Sequence, residues 1–242
     1  MGRLRHRVIA AAAALLVQLE PAAAASERAV LADGTAIDYL VALPAGYDPA
    51  RSYPMILAFP GGRQTADDAT RLLDRFFAFA GPDRGVVTVV PIAPGVSRKF
   101  YFDFGEPTID EIPEFVRLMR QRYAVAGDTI HLAGHSNGAV SAFRAAIRFP
   151  ELFASMTALA GSPVEPEDWD RLDRLRGLRI TLVVGRNDPE WADRVIGAKQ
   201  VLDGLGIPAR LEVLRLNGHL LSDLSFEKSG RVMDLILGAE AK

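Results

Sequence analysis

Between an apolar run, Thr129-Ile130-His131-Leu132-Ala133, and a helix-prone stretch opening at Ala139 stands the pentapeptide Gly134-His135-Ser136-Asn137-Gly138. In a strand–turn–helix context, Gly-x-Ser-x-Gly is a nucleophile elbow that holds a serine at the tip of a sharp turn. The two glycines let the chain reverse tightly and bring the following helix against the sheet. The serine is left strained and exposed. Such a turn demands a strand before Ser136, a helix after it, and a sheet on which both can lean. The pentapeptide also arises by chance in glycine-rich loops, so its meaning depends on the surrounding chain.

That chain alternates strand and helix signals from residue 28 onward. Residues 29–43 read as two antiparallel strands joined at Asp33-Gly34, a favoured hairpin turn. Residues 54–59 form a short, fully apolar strand leading into Pro60-Gly61-Gly62. A helix is predicted over 65–80, with Thr65 and Asp68 capping its start and Leu72, Leu73, Phe76, Phe77 and Ala80 as its buried stripe. Residues 86–91 are the next strand. A helix from about 110 to 123 puts Pro113 in its first turn and Ile112, Phe115, Val116 and Met119 on one face. After the elbow strand come its helix (139–149, stopped by Pro150), strands at 154–160 and 179–184, a helix over 190–205 and a strand over 209–216. A final helix is predicted from about Ser222. Continuous apolar strands between amphipathic helices indicate an α/β protein with a mostly parallel sheet covered on both faces. Preceded by an antiparallel hairpin, the pattern suits the α/β-hydrolase fold.

Residues 1–25 read as an export signal. Arg3, Arg5, His6 and Arg7 form a basic start, residues 8–19 an apolar run, and Ala22 to Ala25 a small-residue cleavage site ahead of Ser26. A membrane-spanning helix needs about 20 apolar residues, and this run has 12 before Glu20 and Pro21. The expectation is a secreted or periplasmic protein with no stable membrane anchor, its single catalytic domain spanning 26–242. Losing the leader takes the net charge from −2 to −4, with no basic cluster remaining. Nucleic acid and anionic membranes are therefore poor partners. With no cysteine in the chain, neither a thiol nucleophile nor a disulfide is possible.

A serine hydroxyl needs a base, and the base needs a carboxylate to set its tautomer. In this fold the order along the chain is Ser, then Asp or Glu, then His, each beyond the carboxyl end of a strand. Of the four histidines, His6 lies in the leader, His131 within the elbow strand, and His135 beside Ser136, where adjacent side chains should point apart. His219, in Asn217-Gly218-His219 after a strand, is the candidate base. Asp188, in Gly185-Arg186-Asn187-Asp188-Pro189 and 31 residues before His219, is the leading acid. Glu190 and Asp193 are rivals placed where a helix should begin, and Asp223 reads as a helix-start residue. The oxyanion hole is expected to use the backbone N–H of Asn137 and one from the loop after the 54–59 strand. Gly61, Gly62 and Arg63 are the choices there, Arg63 first. Phe100, Tyr101, Phe102 and Phe104 could line an acyl pocket, with Tyr101 and Phe102 as candidate substrate-binding residues, or form a small satellite core. No metal-ligand spacing, phosphate-binding glycine loop or flavin fingerprint stands out, so no cofactor is expected.

With these residues in view, the chain resembles exported single-domain esterases related to polyhydroxybutyrate depolymerases and feruloyl esterases. It is similar as well to the carboxylesterase and acyl-thioesterase branch of the α/β-hydrolases. The likeness spans about residues 30–238 and rests on Phe59-Pro60-Gly61-Gly62, the elbow, Gly185-Arg186-Asn187-Asp188, Asn217-Gly218-His219 and Phe102-Asp103. It departs at Ala139, where the depolymerase-like members carry glycine, and at Phe100-Tyr101-Phe102, which replaces a Cys-Trp motif. The resemblance implies a serine hydrolase acting on a small, soluble ester. Thioesterase, lysophospholipase and peptidase activities on the same triad, or a non-catalytic binding protein, are the alternatives.

Overall fold

The structure, a computed structural model, describes residues 24–94 and 108–238. The expected leader lies outside the described residues up to position 23, as do Phe100, Tyr101, Phe102 and Phe104.

The chain opens with an antiparallel hairpin of β1 (Ala25–Val30) and β2 (Ala36–Ala42). Its first strand starts four residues before the expected position, with Ala25 opposite Val41. The turn is also longer than a two-residue one. Leu31 N–H donates to Thr35 O, the Asp33 carboxylate accepts from Thr35 N–H, and Gly34 takes φ +91°, a backbone state that favours glycine.

The parallel part follows from largely apolar strands, three of which carry no charged residue. β3 (Tyr53–Phe59), β4 (Val87–Pro91), β5 (Val125–His135), β6 (Ser155–Leu159), β7 (Arg179–Gly185) and β8 (Ala209–Leu214) join the hairpin in one eight-stranded sheet. Its order is β1-β2-β4-β3-β5-β6-β7-β8. The pairings of β1 with β2 and of β2 with β4 are antiparallel, and the rest are parallel. Among the described residues the α-helices are α1 (Ala66–Phe76), α2 (Ile112–Arg122), α3 (Asn137–Arg148), the single turn α4 (Pro166–Trp169), α5 (Ala192–Gly204) and α6 (Gly230–Leu237).

Alternation along β3 divides the core. Met55, Leu57 and Phe59 belong to the layer with Phe115 of α2, Phe143 of α3 and Val195 of α5. Ile56 and Ala58 belong to the opposite layer with Leu72 and Phe76 of α1 and Val232 and Ile236 of α6. Each of these large apolar side chains, fully buried, contributes about 1.5–3 kcal/mol, which fixes the register of β3 against a slip of one residue.

The connection through α1 carries the chain from β3 to β4 on one side. The connection through α2 returns it to β5 on the other side of β3. Such a reversal of direction opens a crevice beyond the carboxyl ends of β3 and β5, where open α/β sheets bind ligands. Phe59, the last residue of β3, is paired with Gly134, so the glycine loop and the elbow emerge side by side.

Two helices differ from expectation. The helix predicted over 65–80 ends at Phe76, where the N–H groups of Phe77 and Ala78 both close on Leu73 O. The helix predicted from Ser222 begins at Gly230, after two 3-10 turns, Ser222–Leu224 and Phe226–Lys228. Ser225 breaks it. Its backbone is extended (φ −105°, ψ 154°), and its hydroxyl donates back to the carbonyls of Leu220 and Leu221 instead of permitting a continuous ladder.

Candidate active site

Ser136 sits between the end of β5 and the start of α3 with φ 56° and ψ −124°. Positive φ is unusual for a residue with a side chain and stores strain. Close packing enforces it. A Cβ on Gly134 would collide with the carbonyl of Gly138, and one on Gly138 with the carbonyl of Phe59. Sequence reading missed a third glycine, Gly161 beyond β6, where a Cβ would lie 2.5 Å from Ser136 O. Ser136 N–H donates to Leu159 O at 2.8 Å, which fastens the turn to β6.

The acid and the base arrive on neighbouring loops. Asp188 follows β7 and is 3% exposed. It is held in a turn by Asp188 N–H to Gly185 O (3.2 Å) and by Ala192 N–H donating to its carbonyl (2.9 Å). His219 follows β8. The two loops are laced by Asn187 N–H to Asn217 O at 2.9 Å. Buried Asn217 in turn bonds Asp223 twice, donating from Nδ2 to its carboxylate (2.7 Å) and accepting its N–H (2.8 Å). Asp223 is therefore a brace of the histidine loop.

His219 Nδ1–H donates to Asp188 Oδ2 at 2.8 Å. A carboxylate at Nδ1 fixes the tautomer that leaves Nε2 unprotonated. The rivals Glu190 and Asp193 are exposed and make no bond to His219. Ser136 and His219 line one cavity of about 190 Å³. Among the described residues no hydrogen bond joins the two side chains directly.

The oxyanion expectation changes. Arg63 N–H donates to Asp68 Oδ2 at 3.0 Å. The same oxygen accepts from the N–H and hydroxyl of Thr65, the N-cap of α1. That N–H is spent in capping a helix, which removes Arg63 from the role. Gly61 and Gly62 line the cavity instead, Gly62 with φ +61°. Asn137 Nδ2 donates to Gly62 O at 2.9 Å, tying the elbow to the glycine loop. Asn137 N–H, the first of α3, has no acceptor within its helix. Buried Gln64 adds a second tie that sequence reading missed, donating from Nε2 to Ser141 Oγ at 2.8 Å. Tyr101 and Phe102 lie outside the described residues.

His135 also differs from expectation. Its ring lies against that of His219 at a tilt of 44°, with centroids 5.0 Å apart, and its Nε2–H donates to His219 O at 2.9 Å. Burial pushes this imidazole down to about 4, against the opposing effects of its bond to His219 O and of the Asp188 carboxylate, while the Arg75 guanidinium acts in the same direction as burial. Burial likewise pushes His131 down to about 4.

These depressed values predict acid sensitivity of the fold. The unfolded chain binds a proton at each site near pH 6.5, which the native site takes only near pH 4. Stability is complete above about 6.5 and declines as the pH falls toward 4. His135 alone should contribute a loss of about 2 kcal/mol at pH 5. Urea midpoints at pH 7 and pH 5 should diverge in the wild type and diverge less in His135→Gln. An identical pH dependence in the two proteins would contradict this.

Among the described residues no group of three metal-ligating side chains is placed to hold an ion, and no helix is long and apolar enough to cross a membrane.

The family described as Esterase, "Putative esterase", matches residues 32–204. Among curated proteins none matches the chain. Solved structures share its fold. A thermostable esterase is 15% identical with a TM-score of 0.65, the match covering 88% of this chain and 60% of that one. A ferulic acid esterase is 18% identical with a TM-score of 0.66, covering 89% and 96%. The feruloyl esterase module from Clostridium thermocellum, solved with sinapinate, is 14% identical with a TM-score of 0.65, covering 88% and 86%. The elbow strand, Ser136, the helix after it and Asp188 fall inside the family match, and His219 lies 15 residues past its end. The chain belongs to the Esterase family and is built on the α/β-hydrolase fold.

Proposed function

We propose that this chain cleaves carboxylic esters of small molecules through an acyl-serine intermediate, with Ser136 as nucleophile, His219 as base and Asp188 as the carboxylate that orients it. The observation that carries this reading is the 2.8 Å bond from His219 to buried Asp188 at the cavity into which Ser136 opens. Family membership supports the bond class, since an ester is the bond its name refers to.

Ser136 Oγ adds to the ester carbonyl while His219 Nε2 takes the hydroxyl proton. The hydroxyl and imidazole come within hydrogen-bond reach when substrate is seated, since such contacts are often long in a free enzyme and tighten in the complex. Asp188 stabilises the imidazolium that forms. The oxyanion receives the N–H groups of Asn137 and Gly62, each donor being worth about 3–4 kcal/mol of barrier. The tetrahedral adduct collapses, and the alcohol leaves with the proton held by His219. Water, deprotonated by His219, then attacks the acyl-serine. The second adduct collapses, Ser136 Oγ leaves with the proton held by His219, the acid is released, and the net reaction is ester plus water to acid plus alcohol. Nothing in these steps calls on a cofactor.

The test is a comparison of p-nitrophenyl acetate, the matching thioester and the matching p-nitroanilide under pre-steady-state conditions. A burst of p-nitrophenol close to one equivalent of protein, with the anilide turned over far more slowly, is the expected result. Absence of turnover of any ester by the folded protein would overturn the reading.

A further inference from the structure

The cavity beside Ser136 is walled on one side by a single stripe of α1: Asp68, Arg71, Leu72, Arg75 and Phe76. These positions recur at helical spacing and so share a face. Leu72 and Phe76 are buried and anchor the helix. The charged members divide unequally. Asp68 accepts from Arg63, from Thr65 and from the guanidinium of Arg71, so its charge is matched within the helix. Arg75 has no carboxylate partner among the described residues. Its guanidinium reaches the carbonyl of Leu220 at 3.4 Å and lies 5.6 Å from the ring centroid of Phe226. A guanidinium has five N–H donors, and the carbonyl of Leu220 engages one of them on a residue that lines the cavity. The residue is only partly exposed and is held over an aromatic face, so it is less mobile than a free surface arginine.

Resting on the ester-hydrolase reading, we propose that the substrate is a small ester carrying a carboxylate, which the Arg75 guanidinium receives at the α1 wall of the cavity while the scissile carbonyl lies at Ser136. Arg75 is the specificity-determining residue and Arg71 the secondary cation of the same wall. The fork of a guanidinium matches a carboxylate with two parallel bonds. A cavity of about 190 Å³ suits a compact acid better than a long acyl chain. Arg75, His135 and His219 line the same cavity, so the bound anion would sit close to the proposed base.

Two matched substrate pairs test this, followed by pH-stat titration. Monoethyl adipate against ethyl hexanoate places the charge on the acyl side. 4-Acetoxybenzoate against 4-acetoxybenzamide places it on the alcohol side. The quantity read is the ratio of kcat/KM for the anionic member to that for the neutral one, so any general loss of activity cancels. A hydrogen bond between charged groups is worth about 1.5–3 kcal/mol. In Arg75→Gln the ratio should therefore fall about 10- to 100-fold for one pair, mainly through KM. Arg75→Lys should keep part of it, and added salt should lower it in the wild type. A wild type that shows no anionic preference in either pair, or an unchanged ratio in Arg75→Gln, overturns the inference and leaves the hydrolase reading intact. A folded wild type that turns over neither the neutral nor the anionic esters takes the hydrolase reading down with it.

Discussion

Ser136→Ala is expected to lower kcat for a soluble ester by about 10⁶-fold, on the order of the loss when such a nucleophile is removed. The fold should not notice. Ser136 is the N-cap of α3, yet its side chain makes no capping bond, and its strained backbone is held by Gly134, Gly138 and Gly161 packing around it. The serine main chain, through its N–H to Leu159 O and its carbonyl to Ala139 N–H, does the structural work. Alanine keeps both of those bonds. The unfolding midpoint should therefore stay within about 0.5 kcal/mol of wild type. Ester turnover and urea denaturation on the same preparation check the prediction. Residual activity within tenfold of wild type would move the nucleophile elsewhere.

Asp188→Asn is the second large effect, with an expected loss of about 10⁴-fold in kcat. The amide has the shape of the carboxylate and fits the same turn, so packing is preserved. The chemistry is not. An amide nitrogen facing His219 Nδ1 selects the opposite tautomer, leaving the proton on Nε2 and no lone pair for the hydroxyl of Ser136. It also removes the charge that stabilises the imidazolium. Because Asp188 is 3% exposed and its side chain bonds His219, replacing it exchanges a buried charge for a neutral group. Stability should change little or rise. Glu190→Gln and Asp193→Asn, which alter exposed carboxylates without a bond to His219, should retain near-wild-type turnover. Kinetics of the three variants side by side separate the assignments. Comparable losses in all three would remove Asp188 from its special position.

Much of the site was legible in the residues because its parts stand at strand ends. Asp188 and His219 follow β7 and β8 in the order this sheet imposes, and no other described histidine follows a strand through a loop of its own. What was hidden depends on contacts that local patterns do not encode. Thr65 and Asp68 announce a capping box, but nothing in the sequence says that its carboxylate also takes Arg63 N–H from the glycine loop. The adjacent-residue rule sends His135 away from Ser136, yet the loop after β8 folds over it and places its imidazole beneath His219. Ser225 carries no helix-breaking signature of its own. Its effect arises from bonds back to Leu220 and Leu221, in a loop whose path is set by Asn217 and Asp223. The place of Arg75 at the cavity wall was invisible for the same reason, since only the packed structure shows which α1 charges have a carboxylate partner.

The most direct measurement is mass spectrometry of the full-length protein after reaction with a fluorophosphonate, which mimics the tetrahedral adduct at a reactive serine. One phosphonyl group per chain, mapped to the peptide containing Ser136, absent from Ser136→Ala and formed far more slowly in Asp188→Asn, is the predicted outcome. A folded, ester-cleaving protein that stays unlabelled, or that carries its adduct on another residue, would contradict the account.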